Sequence, residues 1–335
     1  MYLLVPSNSK DLMETALWFK NPIALKLLEE KGVEFGFELK GEPETITEAP
    51  DLYWGYHIPV NFAEKYHYHP ENRQELLNSL KHITKLKPHY VNMHGIKLWW
   101  KPARGKYVKR YESRDSALEY FEILKETIEL VKKVKEIFPQ LTFENTTLTD
   151  YYHPDSEVIP MTALQTSIGA VLDQIYIKEQ TGVELLLDIE HSIVSLNFLN
   201  REKNYADLKQ DKIDLTSEEG KISNIFGYKI KKGFIPYAEP KLKFEEIVAK
   251  SNAKRYHVTG TTQDVIMGKK DLSHAQIQIN DRTFRKNLRT ILKQKPESIL
   301  IETAKKSDYK CFSYLRENET ELSFYAMCQI LLEEL

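Results

Sequence analysis

Thiols are scarce in this sequence. Cys311 and Cys328 are its two cysteines, far apart and without metal-type spacing. That excludes a disulfide framework and a structural cysteine-type zinc site, and it points to a reducing compartment. A surplus of either charge is missing too. Lys+Arg 47 against Asp+Glu 49 leaves a net charge of -2. Such a chain has no general attraction to nucleic acid or to an anionic membrane, although a local basic patch is still open to it. No apolar run is long enough to span a bilayer. The opening Met1–Pro6 is a short apolar run without a basic leader or a cleavage site. These absences lead to the expectation of a cytoplasmic protein with no membrane partner. A fixed sequence period is also absent, which excludes a solenoid.

What is present is ordinary globular composition, 41% hydrophobic and 29% charged over 335 residues. Eight short apolar segments read as strands: Tyr2–Val5, Val33–Leu39, Leu52–Ile58, Tyr90–Gly95, Leu141–Glu144, Glu184–Asp188, Tyr256–Val258 and Ser298–Glu302. Helical patterns lie between most of them. Asp11–Lys31 reads as a helix interrupted at Pro22, and Glu71–Leu86 carries Leu76, Leu77, Leu80 and Ile83 on one side. Arg114–Ile137 is the clearest, with Leu118, Phe121, Leu124, Ile128, Val131 and Val134 at helical spacing. Met161–Gln180, Phe244–Lys250 and Leu322–Leu335 complete the set. Strands alternating with helices predict a parallel sheet, and eight such units close a (β/α)8 TIM barrel. The expectation is one domain over residues 1–335. The irregular stretch 200–243, rich in Lys, Asp, Gly and Pro, is read as an insertion or lid on the C-terminal face.

In such a barrel the chemistry lies at the carboxyl ends of the strands. Six strands in succession end in a residue type that binds metal: His57, His94, Glu144, Asp188, His257 and Glu302. His191 follows Asp188 by three residues, where the segment after the strand reads as a polar turn. Imidazole and carboxylate without thiolate suit zinc, manganese, iron or cobalt. Asp271-Leu-Ser-His274 adds a further carboxylate and imidazole, and the same residues also fit a helix N-cap. Directly after His94, the loop Lys97–Tyr111 mixes six basic residues with four aromatics. Trp99, Trp100, Lys101, Arg104 and Lys106 are therefore the substrate-contact candidates, since basic charge holds phosphates and aromatic faces stack on bases or sugars.

The ordered set His57-Ile-Pro-Val-Asn61, His94-Gly, Phe143-Glu144-Asn145-Thr-Thr, Leu187-Asp188-Ile-Glu-His191, His257-Val, Lys270-Asp271-Leu-Ser-His274 and Ile301-Glu302-Thr resembles the xylose isomerase-like barrel superfamily. Within it, the order is most similar to the endonuclease IV type. That resemblance implies two or three divalent metals, zinc first, with manganese or iron as alternatives. His57, His94 and Glu144 would hold one, and Glu144 would bridge to a second held by Asp188, His257 and Glu302. His191, Asp271 and His274 would hold a third. The implied reaction is hydrolysis of a phosphodiester or phosphate ester by metal-activated water, with nucleic acid among the candidate substrates. The pattern departs from that type at Asp271 and His274, which have two residues between them instead of one, and at Gly95, which replaces a proline. Both departures bear on the third metal and on a DNA substrate.

Two other chemistries share these residues. The same core resembles sugar isomerases and epimerases, in which Glu144 and Glu302 would exchange protons as paired bases on a sugar and His191 would touch the substrate. It also resembles multinuclear iron oxidases that modify small peptides. The catalytic candidates are Glu144, Glu302 and His191, of which His191 and Glu302 fit the oxidase pattern less well.

Overall fold

Strand formation follows the apolar segments, and the strands pair in chain order. The computed structural model describes residues 1–19, 22–96, 115–146, 172–201, 243–261, 274–303 and 319–335. The strands are β1 (Tyr2–Ser7), β2 (Glu34–Lys40), β3 (Tyr53–His57), β4 (Tyr90–Met93), β5 (Leu141–Glu144), β6 (Glu184–Asp188), β7 (Arg255–Val258) and β8 (Ser298–Ile301). All neighbours pair in parallel, and β1 pairs β8 to close the barrel. The fold is an eight-stranded TIM barrel.

Alternation along each strand sorts side chains into two compartments. Leu3, Val5, Phe37, Leu39, Tyr56, Val91, Phe143, Leu185, Leu187, Val258 and Ile299 point outward and belong to the main buried cluster. The alternate positions point into the barrel, where Leu4, Tyr90, Leu186 and Leu300 form a second, smaller cluster. Continuing inward positions toward the strand ends gives His57, Glu144, Asp188 and His257, and one residue beyond their strands His94 and Glu302.

Helices cover the outer face. They are α1 (Leu12–Trp18), α2 (Pro22–Glu30), α3 (Phe62–Tyr68), α4 (Arg73–Thr84), α5 (Asp115–Ile137), α6 (Leu172–Thr181), α7 (Ile189–Arg201), α8 (Phe244–Ser251), α9 (Arg282–Leu292) and α10 (Glu319–Glu334). Pro22 divides the first helical pattern by starting α2, where its missing N–H has no partner to lose. On α5 the buried stripe includes Leu124, Ile128, Val131 and Val134. Helix α9 has no counterpart in the sequence reading, although Phe284, Leu288 and Ile291 are buried on one face and Asp281 caps it by accepting from the Phe284 N–H at 2.9 Å. No helix among the described residues is long and apolar enough to cross a membrane. The substrate-contact candidates Trp99, Trp100, Lys101, Arg104 and Lys106, the ligand candidate Asp271, and residues 202–242 of the expected lid lie outside the described residues.

Candidate metal centre

Each side chain of the centre is placed by the strand that ends there. Register sets His57 beside Asn92, and Asp188 beside His257. The result is two sets of donors that share one carboxylate. His57, His94 and Glu144 form the first, and Glu144, Asp188, His257 and Glu302 the second. Within each set, one ligand atom from every residue lies within 4.8 Å of the others. All are buried except Glu302, whose side chain is 20% exposed and so faces the mouth.

Several contacts fix which atoms face the centre. The His57 Nδ1–H donates to the Ile58 carbonyl at 2.6 Å, leaving Nε2 at 3.3 Å from Glu144 Oε2. His94 Nε2 lies 3.6 Å from the same oxygen, and the Asn92 amide donates to it as well. His257 Nδ1 stands 3.1 Å from Glu144 Oε1 and 2.9 Å from Glu302 Oε2. Asn145 ties β5 to β6. Its amide donates to the Asp188 carbonyl at 3.0 Å, and its Oδ1 accepts from the Asp188 N–H at 2.7 Å.

After Asp188 the chain does not turn but enters α7 directly. Asp188 Oδ1 accepts from the His191 N–H at 2.6 Å, a helix cap that sets His191 in the first turn. Asp188, a capping residue type at the strand end, carried this signal, and the reading of a polar turn is corrected by it. His191 donates from Nδ1 to the Asn145 carbonyl at 2.8 Å, and its ring lies 6.0 Å from His94 and 6.3 Å from His274. His191 thus borders the two donor sets without joining either, and His274 belongs to neither. His274 takes a left-handed φ of 39°, a conformation costly for a residue with a Cβ, and Glu190 accepts its N–H at 3.1 Å. Tyr56, adjacent to His57 in sequence, points away and donates to the Gly41 carbonyl at 2.9 Å.

The sequence reading missed Glu38 and Lys40, which β2 sends into the centre. Glu38 Oε2 is 3.1 Å from His257 Nε2, and Lys40 donates to Glu302 Oε1 at 2.6 Å.

Electrostatics follow from this crowding. Burial alone would raise the Glu144 carboxyl, but His257 and His94 hold it well below the usual range. Burial would likewise raise Glu302, and Lys40 with His257 overcomes it. Asp188 goes the other way: burial, with Glu302 and Glu144 nearby, lifts it well above an ordinary aspartate. Burial would favour neutral His257, yet Glu144, Glu38 and Glu302 raise it well above an ordinary imidazole.

A divalent cation suits these residues. The donors are all imidazole or carboxylate, and buried Glu144 Oε1 accepts no hydrogen bond although it faces His257. A cation must compete with protons for His257 and Asp188, whose surroundings favour the protonated form of each. Uptake of Zn2+ is therefore expected to release roughly one to two protons per chain, with affinity falling as the pH is lowered. Calorimetric titration in two buffers of different ionisation enthalpy measures this, and a proton count of zero would contradict the charge state described.

No protein-family model matches the sequence, and no match to a curated protein is found. Among solved structures, the chain is similar to a D-tagatose 3-epimerase-like protein at 11% identity and a TM-score of 0.47, covering 100% of this chain and 98% of that one. It is also similar to a xylose isomerase domain protein from Alicyclobacillus acidocaldarius subsp. acidocaldarius at 11% identity and a TM-score of 0.43, covering 100% of both chains. The strand order of this chain, not the likeness, establishes its fold.

Proposed function

We propose that this protein is a metal-dependent enzyme whose centre takes two divalent cations, and that it hydrolyses an ester of phosphoric acid. The observation that carries the reading is the membership of Glu144 in both donor sets. A carboxylate with one oxygen toward His57 and His94 and the other toward His257 is placed to bridge two ions. Two bound cations would supply Lewis acidity and a water acidified enough to attack a phosphoryl group. The residues of the chain do the rest. His57 and His94 hold one side of the bridge, while Asp188, His257 and Glu302 hold the other. Asn92 and Asn145 keep Glu144 and Asp188 in place. Lys40, a third exposed, pairs with Glu302 and offsets part of the carboxylate charge at the mouth, which lowers the repulsion an anionic substrate would meet there.

A second reading is sugar isomerisation or epimerisation. It is favoured by the tetrad Glu144, Asp188, His257 and Glu302, which is a complete donor set for one cation and contains two glutamates to exchange protons with a substrate carbon. It matches the names of the two solved barrels, but the reading rests on the tetrad.

Elemental analysis of freshly purified protein separates the two. At least two equivalents of metal per chain are expected, together with release of nitrophenolate from a nitrophenyl phosphodiester. One equivalent, with exchange of deuterium from heavy water into a ketose and no ester cleavage, would establish the second reading instead. Iron as the metal found would direct attention to peptide oxidation.

A further inference from the structure

Strand β2 supplies no member of either donor set, yet two of its side chains reach them. Glu38 and Lys40 lie two positions apart on its barrel-facing side. Glu38 is wholly buried. Its Oε2 accepts from the Tyr90 hydroxyl at 2.8 Å and stands 3.1 Å from His257 Nε2. On the other side of the ring, His257 Nδ1 faces Glu302 and Glu144. Lys40 engages Glu302 Oε1, which leaves Glu302 Oε2 as the oxygen turned toward His257.

We propose that Glu38 is a positioning residue for the metal centre, taking the Nε2–H of His257 and so making Nδ1 the nitrogen that faces the cation. The inference rests on the metal centre proposed above. A neutral imidazole has one N–H and one lone pair, and only the lone-pair nitrogen can bind a metal. Whichever nitrogen is held as a donor decides which one is left as ligand. A carboxylate holding that N–H also stops ring rotation and makes the ligand nitrogen more basic.

Glu38 is itself held. The Tyr90 hydroxyl donates to the same oxygen, and the Tyr90 ring fills the space above Gly55, where an added Cβ would lie 2.2 Å from ring carbon Cζ. The Arg255 guanidinium lies 4.9 Å from the Tyr90 ring centroid, and Glu184 and Glu297 each accept from it at 2.7 Å. A column of Arg255, Tyr90, Glu38 and His257 thus runs up the barrel interior from the strand starts to the ligands. Lys40 Nζ is 3.8 Å from Glu38 Oε1, so a simple ion pair with Lys40 is the competing role for this carboxylate. An ion pair would leave the tautomer of His257 indifferent to Glu38, and that difference is measurable.

Zn2+ is the probe, and the full chain is labelled with 15N at histidine. The His257→Gln spectrum assigns the His257 signals. In the zinc-loaded wild type, His257 is expected to carry its proton on Nε2, slow to exchange, and to show the metal-bound shift at Nδ1. Glu38→Ala should weaken zinc binding by roughly 10–100-fold and lose the slowly exchanging proton. Glu38→Gln keeps an acceptor oxygen and should restore both the signal and most of the affinity. Tyr90→Phe should give a smaller loss in the same direction. Zinc on Nε2 in the wild type overturns the proposal without recourse to any variant, whether or not Glu38→Ala folds. So does Glu38→Ala with wild-type affinity and an unchanged His257 spectrum. A wild type that takes up no zinc overturns the centre itself, and this inference with it.

Discussion

Glu144→Gln is expected to reduce bound metal from two equivalents to at most one per chain and to abolish ester cleavage. Glutamine has nearly the same shape, so the loss isolates charge and the second donor oxygen. In the native chain both carboxylate oxygens are committed, Oε2 toward His57 and His94 and Oε1 toward His257. An amide has one acceptor oxygen, and its NH2 turns donor protons toward whichever imidazoles it faces. The first donor set then has no anion left, because its other members are His57 and His94. The fall in affinity for the second cation should exceed the roughly 10–100-fold that an outer hydrogen-bond partner contributes. Metal analysis after dialysis, with a thermal melt to show that the chain is folded, checks this. Two equivalents retained by a folded variant would show that Glu144 does not bridge.

Gly55→Ala should act on stability and on the metal centre together. Gly55 sits on the inner side of β3 directly beside Tyr90, and its missing side chain is the room in which the Tyr90 ring lies. Carbon atoms pack at about 3.5–4.0 Å, far beyond the 2.2 Å that a Cβ would find there. The ring must move, and the closed sheet around it cannot open to accommodate it. Overpacking of this kind costs about 1–3 kcal/mol. Displacing the Tyr90 hydroxyl also takes from buried Glu38 one of its partners, worth about 1–3 kcal/mol more if nothing replaces it. At roughly 2–4 °C per kcal/mol for a large domain, the melting temperature should fall by several degrees or more. Zinc affinity should fall with it, although Gly55 touches no ligand. Circular dichroism melts and zinc titration provide the two readouts, and an unchanged melt would place Tyr90 elsewhere.

The clearest site residues in the sequence are those at which an apolar run stops abruptly on a single polar residue. Leu185, Leu186 and Leu187 followed by Asp188 show the pattern, as do Ile299, Leu300 and Ile301 followed by Glu302. Glu38 and Lys40 escaped for a physical reason. Phe35, Phe37 and Leu39 alternate with Glu34, Gly36, Glu38 and Lys40, and in an open sheet that alternation puts the charges in solvent. Here the sheet closes, so the polar side of β2 becomes the lining of the barrel. Nothing local to residues 33–40 announces closure. Helix α7 was missed because Glu190, His191 and Ser192 are polar, although Glu190 and Ser192 are buried against the barrel mouth. The cap at Asp188 decides the helix, and its signal is one residue.

The cap at Asp188 also has a bearing on ion choice. One oxygen of Asp188 is occupied by the first turn of α7, and one oxygen of Glu302 by Lys40. Each contact takes one lone pair of that oxygen, which favours binding through the other oxygen. Calcium favours six to eight oxygen donors and often takes carboxylates through both atoms, whereas smaller transition ions accept fewer donors and welcome nitrogen. With imidazoles among its donors and one oxygen of each of these carboxylates already engaged, such a centre would favour smaller transition ions over calcium.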